Sequence, residues 1–206
     1  MDVWGSIKAD REIFADFLST LTPDDWSVTS RCAGWTVKAV VAHLLVAPTM
    51  SKGKIFLAFA SSGFNLDKMS AKLVEHMTTA MSVDEMAAKV RSTAGSQSAP
   101  PGLKPVGVLS EILIHASDIS EPVNKPLDFP VEHYVAALDH LKNVQPIFGV
   151  KKRIAGLELK ATDTSWSTGS GPLVEGSAKN LLAAMTGRRA AITALTGPGV
   201  EARRSR

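Results

Sequence analysis

The run Leu109-Ser110-Glu111-Ile112-Leu113-Ile114-His115-Ala116-Ser117-Asp118-Ile119 places three groups able to bind a proton or a cation within ten residues. Glu111 and His115 are four apart. At ~100° per residue of an α-helix they lie ~40° apart on one face, one turn along the axis. Asp118, seven residues after Glu111, extends the stripe. The neighbours Val108, Leu109, Ile112, Leu113, Ile114, Ala116 and Ile119 are apolar nearly all round, which predicts a buried helix with its polar stripe facing inward. A buried carboxylate or imidazole is costly unless it is paired or bound to a cation, so a divalent metal would resolve the pattern. An ordinary hydrogen-bonded Glu–His pair on a solvated face is the other reading of the same spacing. The arrangement also differs from the zinc-protease helix, in which two histidines ligate and the Glu is a base; here Glu111 would itself ligate.

A third ligand must come from another element. His43, in Val40-Val41-Ala42-His43-Leu44, borders an apolar stripe among the small residues Ala39, Ala42 and Ala47. It is either that ligand or a satisfied core histidine. His76, His133 and His140 lie on mixed, charged stretches and are read as surface groups. His43, Glu111 and His115 together offer two nitrogens and one oxygen, leaving coordination positions open as in a reactive zinc site, or in an iron site for oxygen chemistry. Asp118 suits a partner that orients a ligand imidazole, or a plain salt bridge. Nothing in the sequence lowers the pKa of Cys32, which is read as a bystander thiol.

These residues need helices to hold them. Val3, Trp4, Ile7, Phe14, Phe17, Leu18 and Leu21 recur at three- and four-residue steps and predict a first helix. Thr22-Pro23-Asp24-Asp25 reads as a helix start. Gly34-Trp35-Thr36 precedes a second helix with the stripe Val37, Val40, Val41, Leu44 and Leu45, ended or kinked by Pro48. Ser82-Val83-Asp84-Glu85 is a capping-box pattern, residues 92–105 form a loop, and helices follow at about 106–119 and from Pro130. After Phe148-Gly149 the character changes. Leu157 and Leu159 lie in a β-like run ending at 161–163, Gly169-Ser170-Gly171-Pro172 is a turn, residues 173–176 form a strand, and Ser177 caps a helix stopped by Gly187. The expected organisation is a mainly α protein: a helical bundle over residues 1–148 and a small α/β domain over 149–206.

The chain has 206 residues, 45% of them hydrophobic, enough for a sizeable core. Its formal charge of +3, from 23 basic and 20 acidic side chains, is too small to imply nucleic acid. Part of the excess sits in Arg203, Arg204 and Arg206, read as a solvated terminus. With Cys32 as the single cysteine no intrachain disulfide can form, which fits a reducing, cytoplasmic setting. Neither a signal-peptide run nor the ~18 uninterrupted apolar residues of a membrane helix occurs.

Several segments, taken in order, resemble one family. Trp26, Thr29-Ser30-Arg31-Cys32-Ala33-Gly34-Trp35-Thr36-Val37 and Val41-Ala42-His43-Leu44 resemble the N-terminal signature of the mycothiol-dependent maleylpyruvate isomerase family of the DinB-like superfamily. Glu111-x-x-x-His115-x-x-Asp118-Ile119 followed by Pro122 is similar to its second metal segment. Ala161-Thr162-Asp163-Thr164-Ser165-Trp166, Gly169-Ser170-Gly171-Pro172 and Thr186-Gly187-Arg188 are similar to its C-terminal domain. The resemblance implies a DinB-like four-helix bundle with a small C-terminal α/β domain, and His43, Glu111 and His115 as ligands of a divalent metal, Zn2+ first. It implies mycothiol as the low-molecular-weight thiol, a small electrophile as substrate, and Arg188, with Arg189 as second candidate, as the functional arginine. Isomerisation and S-transfer are both compatible with it, as is a non-catalytic metal- or small-molecule-binding protein on the same scaffold. Two segments depart from the family pattern: Ser30-Arg31-Cys32-Ala33 lacks the usual proline, and Ser120-Glu121-Pro122 stands where basic residues are common.

Overall fold

The computed structural model describes residues 1–100, 102–143 and 149–204, with side chains as far as residue 201. Pro101 in the predicted loop, Phe148 at the predicted domain boundary, Arg206 and the side chains of Arg203 and Arg204 lie outside the described residues. Two compact units make up the chain, Met1–Leu127 and Asp128–Arg206.

In the first unit, α1 (Val3–Leu18) starts where the Asp2 carboxylate accepts a hydrogen bond from the Gly5 amide at 3.1 Å. It buries Ile7, Phe14, Phe17 and Leu18, the face its periodicity predicts. The Thr22-Pro23-Asp24-Asp25 segment makes only a 3-10 turn, Asp25–Ser27, which seats Trp26 in the core. α2 (Val37–Thr49) begins at Thr36, whose hydroxyl accepts from the Ala39 amide, and ends one residue after Pro48. α3 (Lys52–Ser61) and α4 (Leu66–Ala80) follow. α5 (Val83–Ser92) carries the predicted capping box, with both halves formed between Ser82 and Glu85. α6 (Pro105–Ser120) takes Pro105 in its first turn, where a missing N–H costs nothing.

Each of α1 and α2 packs against both α5 and α6, closing a four-helix ring; α4 lies along α2, and α3 on α4. α6 is buried on nearly every side, as its composition requires. Leu109, Leu113 and Ile119 are among the most enclosed side chains of the protein.

The second unit holds α7 (Val131–Leu141), α8 (Val150–Ile154), the strands β1 (Glu158–Ala161), β2 (Ser167–Gly169) and β3 (Leu173–Gly176), and α9 (Ala178–Met185). A 3-10 segment Arg189–Ala194 and α10 (Gly199–Arg204) complete it. β1 is central, antiparallel to β2 and parallel to β3, with Leu159 opposite Thr168 and Val174. α7 packs on α9 and so falls in the unit Asp128–Arg206, whereas the sequence reading groups it with the bundle up to 148. That packing also buries His133, read from sequence as a surface group, beside Tyr134 and Ala137. α9 ends in a Schellman arrangement: Gly187 (φ 97°) bonds the Ala184 carbonyl and the Arg188 amide bonds that of Ala183. Among the described residues, no helix is long and apolar enough to cross a membrane.

Candidate metal centre

The loop before α2 is built to bring chain-distant groups together. Cys32-Ala33-Gly34-Trp35 is a turn closed by the Trp35 amide on the Cys32 carbonyl at 3.0 Å. Gly34, at φ 79°, takes the left-handed position that a type II turn requires. The Ser30 hydroxyl donates to the Trp35 carbonyl at 2.8 Å and accepts from the Cys32 amide at 3.1 Å, which stiffens the turn from inside. The Arg31 amide then donates to the Asp118 carbonyl near the end of α6 at 3.0 Å. The Arg31 side chain pairs with Glu121 at 2.5 Å. This pair joins the turn to the residue that follows α6.

This stitching places Cys32 beside α6. Its Sγ donates to Asp118 Oδ2 at 3.1 Å and lies 3.5 Å from His115 Nδ1. Asp118 is fully buried and also takes His115 Nδ1 at 3.0 Å. Among the described residues, Cys32, His115 and Asp118 are the one set of three or more possible donors whose ligand atoms all lie within 4.8 Å of one another. Sequence reasoning read Cys32 as a bystander; the sole signal against that was the turn chemistry around Gly34.

His43 projects from α2 onto the other side of His115. The two rings meet edge to face at 5.1 Å between centroids, and Trp35 tilts over His43 at 5.2 Å. His43 Nδ1 is 3.2 Å from the Ser70 hydroxyl of α4. Each imidazole is thus tied through Nδ1, to Ser70 or to Asp118, and each retains Nε2. Glu111 lines a cavity of about 80 Å3 together with His43 and Ser70. His43, Glu111 and His115 are therefore neighbours in space, although their donor atoms are not drawn within the 4.8 Å span of the Cys32 set.

Electrostatics separate these groups. Burial, reinforced by the positive charge that His115 can carry, pushes the His43 pKa down to about 3, so this imidazole is neutral and its lone pair available. Desolvation pushes the Glu111 carboxyl above its ordinary range, and His115 draws it partly back. Glu111 has no hydrogen-bond or ion-pair partner among the described residues, the condition in which a bound cation is most stabilising. Two imidazoles that keep Nε2 and a carboxylate without a protein partner among the described residues form a donor set that suits a divalent ion.

Arg188 belongs to the second unit. It is half-buried just beyond the Gly187 stop and donates to the Thr186 carbonyl at 3.2 Å; Arg189 beside it is exposed.

Fold and donors together define a helical-bundle protein with histidine and carboxylate groups suited to metal binding. Residues 7–100 match the family model described as the mycothiol maleylpyruvate isomerase N-terminal domain. Crystal structures of a mycothiol-dependent maleylpyruvate isomerase, and of its histidine-to-alanine mutant, share the fold with TM-scores of 0.63 and 0.62. They are 13% and 14% identical to this chain, covering 96% of it and 92% of their own lengths. No curated protein matches the sequence.

Proposed function

We propose that the protein is a metal- and mycothiol-dependent enzyme acting on a small electrophile of the maleylpyruvate type, by cis–trans isomerisation or by thiol S-transfer. The observation that carries this reading is the pair of imidazoles anchored through Nδ1, beside a carboxylate that lacks a protein partner. His43, Glu111 and His115 would hold the ion. When bound, it supplies Lewis acidity that keeps a coordinated thiol deprotonated at neutral pH.

The protein's own residues do the rest. Ser70 and Asp118 hold the two rings in orientation, and Asp118, accepting from His115 Nδ1–H, makes Nε2 the more basic donor. Burial keeps His43 unprotonated over the whole physiological range. Arg188 is the residue assigned to a substrate carboxylate, through the forked geometry of its guanidinium. Cys32 Sγ, hydrogen-bonded to Asp118, lies 3.5 Å from His115 Nδ1 and so on the side of the ring away from the Nε2 that would face the ion.

The test is to load the purified protein with zinc, add mycothiol and maleylpyruvate, and separate isomerised product from S-conjugate by chromatography. Turnover that disappears in His43→Ala supports the reading. No metal uptake, or metal uptake with neither mycothiol binding nor product, overturns it.

A further inference from the structure

The cavity beside His43 and Glu111 contains a charge that the metal reading leaves unexplained. Arg11 lies on the buried face of α1, only 6% exposed, and lines the cavity together with His43, Met69, Ser70 and Glu111. Most of the remaining wall is aliphatic, from Val46, Ala47, Ile55 and Leu73. Arg11 Nη1 donates to the carbonyls of Ala94 at 3.2 Å and Ser96 at 2.6 Å, just beyond the end of α5. These contacts use two of the five N–H groups of a guanidinium and leave the Nε and Nη2 hydrogens. No carboxylate among the described residues pairs with Arg11. Desolvation lowers its pKa, yet a guanidinium stays charged at neutral pH.

A guanidinium buried without an ion-pair partner is expensive. Capping the end of α5 occupies Nη1 and leaves Nε and Nη2 without a protein acceptor among the described residues. From this juxtaposition we infer that Arg11 is a binding residue for a small carboxylate, which the cavity takes up with its anionic end on Nε and Nη2. The other end of the ligand then lies toward His43 and Glu111. Maleate serves as the carboxylate probe. The inference deepens the proposed function and rests on it for what happens at the metal end, but the anion site itself requires no metal.

The test is calorimetric titration of the full-length protein, first stripped of metal with a chelator, with maleate and with its neutral counterpart maleamide. Maleate should bind at least tenfold more tightly than maleamide. Arg11→Met should weaken maleate at least tenfold and leave maleamide unchanged, with Arg11→Lys in between. Met69→Glu, which leaves the Ala94 and Ser96 bonds intact and adds a competing carboxylate to the cavity, should weaken maleate to a similar degree; it decides the matter if Arg11→Met does not fold. Equal binding of maleate and maleamide, or wild-type maleate affinity in Met69→Glu or in folded Arg11→Met, overturns the inference. Failure of the proposed enzyme function has a different signature: maleate binding that depends on Arg11 in a protein that takes up neither metal nor mycothiol.

Discussion

The chemistry of single residues here is set by what each side chain is denied. His43 is denied solvent, and its pKa falls from 6.5 to about 3. The unfolded chain then binds a proton below pH 6.5 that the folded chain refuses. The contribution of His43 to stability is therefore complete above pH 6.5 and is lost progressively as pH falls toward 3. Glu111 works in the opposite sense. Its raised pKa means that the folded state holds a proton more tightly than the unfolded one, a contribution that is present at acid pH and lost as pH rises. In urea titrations of metal-stripped protein, His43→Leu should flatten the loss of stability below pH 6.5, whereas Glu111→Gln should steepen it. Asp118 is denied any position but one, fully buried between Cys32 and His115. Asp118→Asn keeps the shape and removes the charge that orients His115. Competition with a chromogenic chelator should then show zinc affinity reduced by roughly ten- to a hundredfold.

At the scale of elements, the site depends on where helices begin and on what staples them. α2 presents His43 because Thr36 caps it directly after the Gly34 turn, and the strand-like bridge between Thr29 and Thr36 fixes that entry. Thr36→Ala should cost about 1 kcal/mol of stability in urea unfolding, the usual loss of a side-chain N-cap. It should leave metal content unchanged, since the backbone bridge and the Val37–Val28 hydrogen bond remain. α6 needs no polar cap. Pro105 starts it, and an apolar surface on nearly every side holds it at the centre of the first unit.

For the whole molecule, the division at Leu127 leaves every candidate metal ligand in the first unit and Arg188 in the second. Within the second unit, Trp166 is buried and its indole N–H donates to Asp139 at 3.0 Å, tying the strand region to α7. Trp166→Phe keeps most of the apolar area and loses that bond. Because Asp139 is largely solvated, the cost should be about 1 kcal/mol and not more. Unfolding followed by circular dichroism should register that loss, while zinc stoichiometry measured by elemental analysis stays at the wild-type value.

Much of this protein was determined by sequence alone. The helical faces of α1, α2, α6 and α7, the Ser82 and Ser177 caps, the Gly187 stop and the inward stripe of Glu111 and His115 are all local patterns. They arise from residues a few positions apart, where the 3.6-residue turn dictates who meets whom. Tertiary structure alone decided which distant residues join that stripe. Cys32 reaches His115 and Asp118 across 83 and 86 residues, Ser70 reaches His43 across 27, and Arg11 bonds a loop 83 residues away. No periodicity encodes such meetings, because they follow from how whole helices pack. The same holds for α7, which has the pattern of a bundle helix but packs its apolar face on α9. Periodicity states that a face must be buried, and only packing states against what.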